Sequence, residues 1–161
     1  MNLDHIFKTQ VKLDQAFQNN LSKEDLLYFD KKIVIALLVE LGEFANEVQD
    51  FKYWKKNKVL KRADILEEFA DGIHFLTSIA YKNKVKSNIK VIKKYDNFSL
   101  QLAYTYRLFT KLLKSHSKIK IRKAYGAYLG LGLIVNINYE DILKAYQAKN
   151  QKNYDRIKNN Y

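Results

Sequence analysis

The stretch that decides the fold class is KKIVIALLVELGEFANEVQDFKYW, residues 31–54. Its largest apolar side chains recur every three or four residues, which is the spacing of one face of an α-helix. These positions are Ile33, Leu37, Leu41, Phe44, Val48 and Phe51. The stretch contains no proline, the residue that interrupts helices most strongly. We therefore predict one long helix over residues 31–54.

Similar periodicity on both sides of this stretch predicts further helices. They cover about residues 3–19, 62–81, 98–113, 119–134 and 139–146. The short segment 55–61 favours an antiparallel arrangement of the two helices that it joins. Residues 82–97 carry six lysines and few large apolar groups, so we expect a solvated connector there. The expected fold class is an all-α helical bundle with antiparallel helices.

Composition agrees with this fold class. The 161 residues include no proline and only five glycines, which argues against a turn-rich all-β protein and against a collagen-like chain. Hydrophobic residues make up 47% of the chain, enough to exclude disorder throughout. We expect a single domain over residues 1–161, in which the polar segment 148–161 is a mobile C-terminal tail.

The absence of cysteine removes several function classes. There is no disulfide framework, no thiolate metal site and no cysteine nucleophile. The longest apolar run, residues 33–39, is far shorter than the ~20 residues that a membrane-spanning helix needs. The N-terminus shows no basic-then-apolar signal pattern, so we expect a cytoplasmic protein that does not associate with a membrane.

Charge is divided unevenly along the chain, whose net charge is +12. Residues 1–81 hold 11 basic and 13 acidic side chains, whereas residues 82–161 hold 18 basic and 4 acidic side chains. Such a chain can bind nucleic acid, or it can bring cations towards a polyanion that metal ions hold on its acidic side. Composition alone leaves both interpretations open.

Two pairs of carboxylates stand out in the helical segments. Glu40 and Glu43 are three residues apart, as are Glu68 and Asp71, and this spacing places each pair on one helix face. Carboxylates that converge from neighbouring helices repel one another unless a cation joins them, and oxygen ligands suit Mg²⁺. The alternative is a pair of solvated acidic faces. A di-iron bundle needs two Glu-x-x-His motifs, and only Asp71-x-x-His74 comes near that pattern.

These residues resemble the all-α dUTPases, a branch of the MazG-type nucleoside triphosphate pyrophosphatases. The family pattern E-x-x-E, followed about 25 residues later by E-x-x-D, falls on Glu40, Glu43, Glu68 and Asp71. The tail AYQAKNQKNYDRIKNNY is similar to the family ending at Tyr146, Lys149, Asn150, Asn153, Arg156 and Tyr161. Gln15 and Asn19 look like the glutamine and asparagine of the family's first helix.

The resemblance implies hydrolysis of dUTP to dUMP and pyrophosphate, with attack on the β-phosphorus. Glu40, Glu43, Glu68 and Asp71 would hold a cluster of Mg²⁺ ions that bridge the triphosphate. The nucleophile would be a metal-bound water, with Glu43 or Glu40 as its base. The resemblance also implies a homodimer with sites near the subunit interface, whereas the number of metal ions and the use of dUDP stay open.

The remaining candidates are substrate-binding residues. The phosphate contacts would come from Lys52, Lys55, Lys149 and Arg156. The uracil edge would be read by Gln15, Asn19 and Asn150. Tyr53 and Trp54 either stack on uracil or close the end of the second helix. His74 would contact the deoxyribose, and Asn153 belongs to the tail that closes over the polyanion. Two rivals stay open: a related pyrophosphatase with a different base preference, and a basic helical nucleic-acid-binding or regulatory protein.

Overall fold

The computed structural model of the chain describes residues 1–18 and 21–159, and in these ranges it contains helices and no strand. The seven helices are α1 (Asp4–Gln18), α2 (Lys23–Leu26), α3 (Phe29–Val48), α4 (Arg62–Lys82), α5 (Phe98–Leu112), α6 (Lys118–Ile134) and α7 (Tyr139–Lys158). Within the same ranges, none of them combines the length and apolar character needed to cross a bilayer. The all-α prediction is confirmed.

Helix α4 lies in the middle of the helical bundle and packs against α1, α3, α6 and α7. Its apolar positions Ile65, Phe69, Ile73 and Leu76 recur at helical spacing and are buried, as the sequence periodicity predicts. The ring of Phe69 stacks on Tyr128 of α6 at 4.5 Å between ring centroids. Stacked aromatic side chains bury a large apolar area, so this pair anchors α6 against α4.

Helix α3 ends at Val48, six residues before the predicted end at Trp54. Gln49 adopts a left-handed backbone conformation, with φ of 59°, and turns the chain out of the helix. The Gln49 side chain donates a hydrogen bond to the Val59 carbonyl oxygen and accepts one from Lys55 Nζ. These bonds hold residues 49–61 as a folded loop, so the prediction of a helix through Trp54 is wrong.

The segment between α4 and α5 also differs from the solvated connector expected from its lysines. Val85 and Ile89 are buried, and the Ile92 amide donates a hydrogen bond to the Gly126 carbonyl oxygen. The Gln101 side chain accepts from the amides of Lys94 and Tyr95 and donates to the Ile92 carbonyl oxygen. The lysine heads stay near the solvent while the backbone packs onto α6.

Helix α7 begins at a capping box formed by Asn138 and Asp141, which satisfies backbone amides at its start. The helix then continues to Lys158, twelve residues beyond Tyr146, where the sequence periodicity ends it. Tyr146 and Lys149 are both buried against the rest of the molecule. Most of the segment 148–161 is therefore helical, and the prediction that α7 ends near residue 146 is wrong.

Candidate active site

Helices α1, α3, α4 and α7 surround a cavity of about 760 Å³. Each helix contributes polar side chains to its wall, because one face of each turns towards the others. The predicted site residues that line it are Glu40, Glu43, Glu68, Asp71, His74, Lys149, Asn153 and Arg156. The cavity therefore gathers acids from the first half of the chain and cations from its last helix.

Three of the four predicted metal ligands converge. Glu40, Glu68 and Asp71 each offer a carboxylate oxygen, and these three oxygens all lie within 4.8 Å of one another. The spacing Glu68-x-x-Asp71 places both acids on one face of α4, where Glu40 of α3 meets them. Glu43 lines the same cavity but is exposed and does not belong to this group of three.

The electrostatics of the acidic group reflect this crowding. Burial, followed by the charges of Asp71, Glu43 and Glu68, raises the pKa of Glu40 to about 8. Burial and the charges of Asp71 and Glu43 raise the pKa of Glu68 to about 7. Burial also raises the pKa of Asp71, although the nearby Lys149 opposes the shift. Without a bound cation, the acidic group therefore retains protons at neutral pH that exposed carboxyl groups would lose.

Lys149 is the cation closest to the acids. Its Nζ lies 2.5 Å from Asp71 Oδ2 and 3.1 Å from Glu67 Oε1, and its side chain is only 9% exposed. Burial opposes the charge of this lysine, but the ion pairs outweigh burial and raise its pKa. Lys152 makes a second ion pair with Glu67, at 2.8 Å. Helix α7 thus places its cations directly beside the acidic group.

The residues fit a divalent metal ion. Glu40 Oε2 is buried and has no hydrogen-bond partner among the described residues, although a buried carboxylate oxygen without a partner costs free energy. The donors are all carboxylate oxygens, which is the ligand type that Mg²⁺ prefers. A cation at this position would satisfy Glu40 and relieve the repulsion among the three acids.

His74 forms another part of the wall. It is 5% exposed, its ring stacks on Tyr146 at 4.1 Å, and burial lowers its pKa to about 4. Nδ1 lies 2.8 Å from Gln10 Oε1, whereas Nε2 is buried and finds no partner in residues 1–18 and 21–159. The imidazole is therefore neutral, with one nitrogen engaged and one left for another group.

Four predicted contacts lie outside this cavity. Lys52, Tyr53, Trp54 and Lys55 belong to the loop after α3, and none of them lines the wall. Lys52 Nζ donates to the Asn46 carbonyl oxygen, while Tyr53 is 92% exposed and its ring contacts Trp54 edge-on. Their predicted contacts with phosphate and uracil stay predictions.

Gln15 and Asn150, two of the three amides predicted to read the uracil edge, do not line the cavity. Gln15 is exposed and does not line the cavity, and Asn19 lies outside the described residues. Asn150 also lies outside the wall, although its Oδ1 is buried and no described residue pairs with it. The amides of α1 that line the cavity are Gln10 and Gln18, and Gln10 is only 3% exposed.

Sequence reasoning missed Gln10 and its neighbour in the wall, Asp14. A signal was present, because Ile6, Gln10, Leu13 and Phe17 follow one helical face and Gln10 interrupts it with a polar group. A polar side chain on an apolar face is buried on folding and needs partners, which makes it a candidate for a site.

Comparison with known proteins agrees with this geometry. The family model that matches the chain is described as dUTPase, and the match covers residues 2–161. A search of curated proteins finds no match.

Proposed function

The chain belongs to the all-α dUTPase family, and on that premise we propose that it is a Mg²⁺-dependent dUTP diphosphatase. Membership indicates a hydrolase that acts on dUTP. The reaction we propose is the hydrolysis of dUTP to dUMP and pyrophosphate.

One observation carries the proposal: acids and cations share the wall of a single cavity. Glu40, Glu68 and Asp71 lie on one side, and Lys149 and Arg156 of α7 lie beside them. A triphosphate is itself strongly anionic, so an acidic wall repels it unless metal ions lie between the two. Cations at the edge of the cavity then contact the phosphate oxygens that the metal ions leave free.

We propose that Glu40, Glu43, Glu68 and Asp71 hold the metal ions. The convergence of three carboxylates and the partnerless Glu40 Oε2 support this assignment. Bound Mg²⁺ neutralises phosphate charge and lowers the pKa of a coordinated water. Glu43 or Glu40 serves as the base that takes the proton of the attacking water, and the exposed position of Glu43 supports the first choice.

The remaining wall residues bind the nucleotide. Lys149 and Arg156 contact the phosphates, and His74 contacts the deoxyribose, supported by their positions in the cavity. Asn153 accepts a hydrogen bond from Arg156, one helical turn away, and we assign both residues to the part of α7 that closes over the substrate. Gln15, Asn19, Asn150 and the loop residues Lys52, Tyr53, Trp54 and Lys55 remain candidates for contacts that form when nucleotide binds.

We further propose that α3 and α4 run antiparallel. The ring of Phe44 contacts that of Phe69, and Gln49, just after α3, bonds Val59, shortly before α4. Contacts that pair later residues of α3 with earlier residues around α4 support this direction.

The proposed assembly is a homodimer. Ile35 and Val39 of α3 are 54% and 52% exposed, and a second copy of the chain would cover such apolar side chains. Light scattering of the purified protein measures the mass in solution, and a monomer at micromolar concentration would contradict the proposal.

The proposed reaction is tested by its products. Purified protein with dUTP and Mg²⁺ should release dUMP and pyrophosphate in equal amounts, and excess chelator should stop the reaction. In ¹⁸O-labelled water, attack on the β-phosphorus places the label in pyrophosphate and leaves dUMP unlabelled. Release of inorganic phosphate with dUDP would show cleavage of a different bond and would contradict the proposal.

The nucleic-acid alternative rests only on the basic second half of the chain, and its outcome is distinct. Binding of DNA or RNA that weakens steeply with salt and does not depend on Mg²⁺ would favour it. We expect no such binding at physiological salt.

A further inference from the structure

A continuous chain of hydrogen bonds joins the side chains of Asp14, Gln10 and His74. Gln10 Nε2 donates to Asp14 Oδ1 at 2.6 Å, and Gln10 Oε1 lies 2.8 Å from His74 Nδ1. The Tyr146 hydroxyl donates to the same Oε1 at 2.8 Å. This chain connects the buried side of α1 with the ring that α4 places in the cavity wall.

Asp14 dictates the orientation of the Gln10 amide. Its Oδ2 accepts hydrogen bonds from the hydroxyls of Ser78 and Tyr81, and Lys82 Nζ lies 3.5 Å away. Carboxylate oxygens accept hydrogen bonds, so Gln10 must turn its NH₂ group towards Asp14. The reversed amide would bring two acceptor oxygens together and would leave the NH₂ group facing His74.

The orientation of Gln10 in turn dictates the tautomer of His74. A carbonyl oxygen only accepts, so His74 Nδ1 must carry the proton of the 2.8 Å hydrogen bond. The other nitrogen, Nε2, is then an acceptor, and it is buried with no partner in the part of the chain that the structure describes. Since a buried acceptor without a partner costs free energy, a donor that arrives through the cavity gains from pairing with it.

We propose that Asp14 is a positioning residue: through Gln10, it holds His74 as the Nδ1–H tautomer, so that Nε2 accepts a hydrogen bond from the bound ligand. On the basis of the proposed function, we assign the donor as the 3′-hydroxyl of the deoxyribose. His74 thereby selects a sugar that carries a hydroxyl, and α1 contributes to selection from outside the acidic group.

The tautomer is tested without nucleotide, by long-range ¹H–¹⁵N NMR of the apo protein. We expect a protonated Nδ1 and an unprotonated Nε2 in the wild type. In Asp14→Asn, Ser78, Tyr81 and Lys82 should still donate to the oxygen of residue 14, which is now a carbonyl oxygen. The new NH₂ group of residue 14 then faces Gln10, and the Gln10 amide reverses to accept from it. The proton then moves to His74 Nε2. Asp4→Asn, at an exposed acid of the same helix, is the control.

Two results would overturn the positioning role. One is a wild-type His74 that carries its proton on Nε2, and the other is an Asp14→Asn variant whose tautomer equals that of the wild type. If Asp14→Asn does not fold, Gln10→Met serves instead, since it removes the acceptor and should leave a mixture of tautomers. A single Nδ1–H tautomer in Gln10→Met would equally overturn the proposal.

The ligand is tested with α,β-imido-dUTP and its 2′,3′-dideoxy counterpart, in the presence of Mg²⁺. The wild type and Asp4→Asn should bind the first about tenfold more tightly, which is the effect of one hydrogen bond. Gln10→Met should lose most of this preference. Equal affinity of the wild type for both compounds would overturn the assignment of the hydroxyl. Failure to bind either one would instead contradict the proposed function, and the tautomer test would stand independently.

Discussion

At the scale of single residues, the acids of the cavity differ in how their charge is compensated. Asp71 has Lys149 at 2.5 Å, whereas Glu40 has a buried oxygen that no other described residue pairs with. The repulsion that the sequence predicts for the group therefore falls most heavily on Glu40. Removing the charge of Glu40 and removing that of Asp71 should have different effects on the metal-free protein.

We predict that Glu40→Gln and Asp71→Asn both lower dUTP turnover by more than about 100-fold, beyond the loss typical of an outer-shell partner. Glu40→Gln should raise the thermal stability of the metal-free protein, because it removes an uncompensated acid. Asp71→Asn should not, because it breaks the ion pair with Lys149. Steady-state kinetics and thermal melting measure these effects. Glu47→Gln, on the same helix but outside the cavity wall, is the control.

The pH dependence of stability follows from the same acids. Glu40 has a folded pKa of about 8, above its ordinary value of 4.5, so the folded state holds its proton more tightly than the unfolded state does. This contribution is complete below pH 4.5 and is lost as the pH rises through about 8. We predict that melting temperatures in chelator fall over this window and that Glu40→Gln flattens the fall. An unchanged profile in Glu40→Gln would contradict the assignment.

At the scale of secondary-structure elements, helix α7 combines a buried and an exposed half. Tyr146 and Lys149 are buried, whereas Arg156 near its end is exposed and lines the cavity. The helix is thus anchored at residues 146–149. Its last turns are the part that we propose closes over a ligand.

We predict that Arg156→Ala lowers kcat/KM for dUTP. The loss of transition-state stabilisation should be roughly 2 to 3 kcal/mol, the size of a hydrogen bond to a charged group. The melting temperature should hardly change, because the side chain is exposed. Lys158→Ala, in the same turn but outside the wall, is the control. Hydrogen exchange of residues 150–158 should slow when nucleotide binds. Full activity of Arg156→Ala would show that the tail motif does not bind substrate.

Close packing of α6 against the segment between α4 and α5 depends on glycine. A Cβ at Gly130 would lie 2.2 Å from the Ile92 carbonyl oxygen, so a side chain there must displace backbone. At Gly42 the nearest atom would be the Tyr106 hydroxyl at 3.2 Å, which can move.

We predict that Gly130→Ala lowers the free energy of unfolding by about 1 to 3 kcal/mol. Gly42→Ala should stay within about 1 kcal/mol of the wild type, because the helix propensity of alanine offsets the contact. Urea denaturation of both variants measures the difference. Equal stabilities would show that α6 and the segment around Ile92 are not closely packed.

The elements also show what the sequence can predict. Helices α3 and α4 carry uninterrupted apolar faces, so periodicity identifies them and places Glu40, Glu68 and Asp71 together. Periodicity does not reveal the left-handed turn at Gln49, which depends on tertiary bonds to the loop. In α1 the motif comparison selects Gln15, whereas packing selects Gln10, five residues earlier. A polar side chain in the wall is recognised only once the neighbouring helices are in place.

At the scale of the whole molecule, the division of charge along the chain acquires a physical reason. The acidic first half supplies the carboxylates, and the basic second half supplies Lys149, Lys152 and Arg156 through α7. Since α7 packs on α4, the two halves meet at the cavity. A match to the dUTPase family over residues 2–161 agrees with a site built from both ends of the chain.

The central claim, a Mg²⁺-dependent hydrolase specific for dUTP, is tested most directly by pyrophosphate release from dUTP, dTTP, dCTP and UTP under identical conditions. With Mg²⁺ present, dUTP should be hydrolysed much faster than the other three nucleotides, and excess chelator should abolish the reaction. Equal turnover of all four would contradict specificity for dUTP, but it would still agree with a nucleoside triphosphate pyrophosphatase of broad base preference. Turnover that persists in excess chelator would contradict the metal site itself.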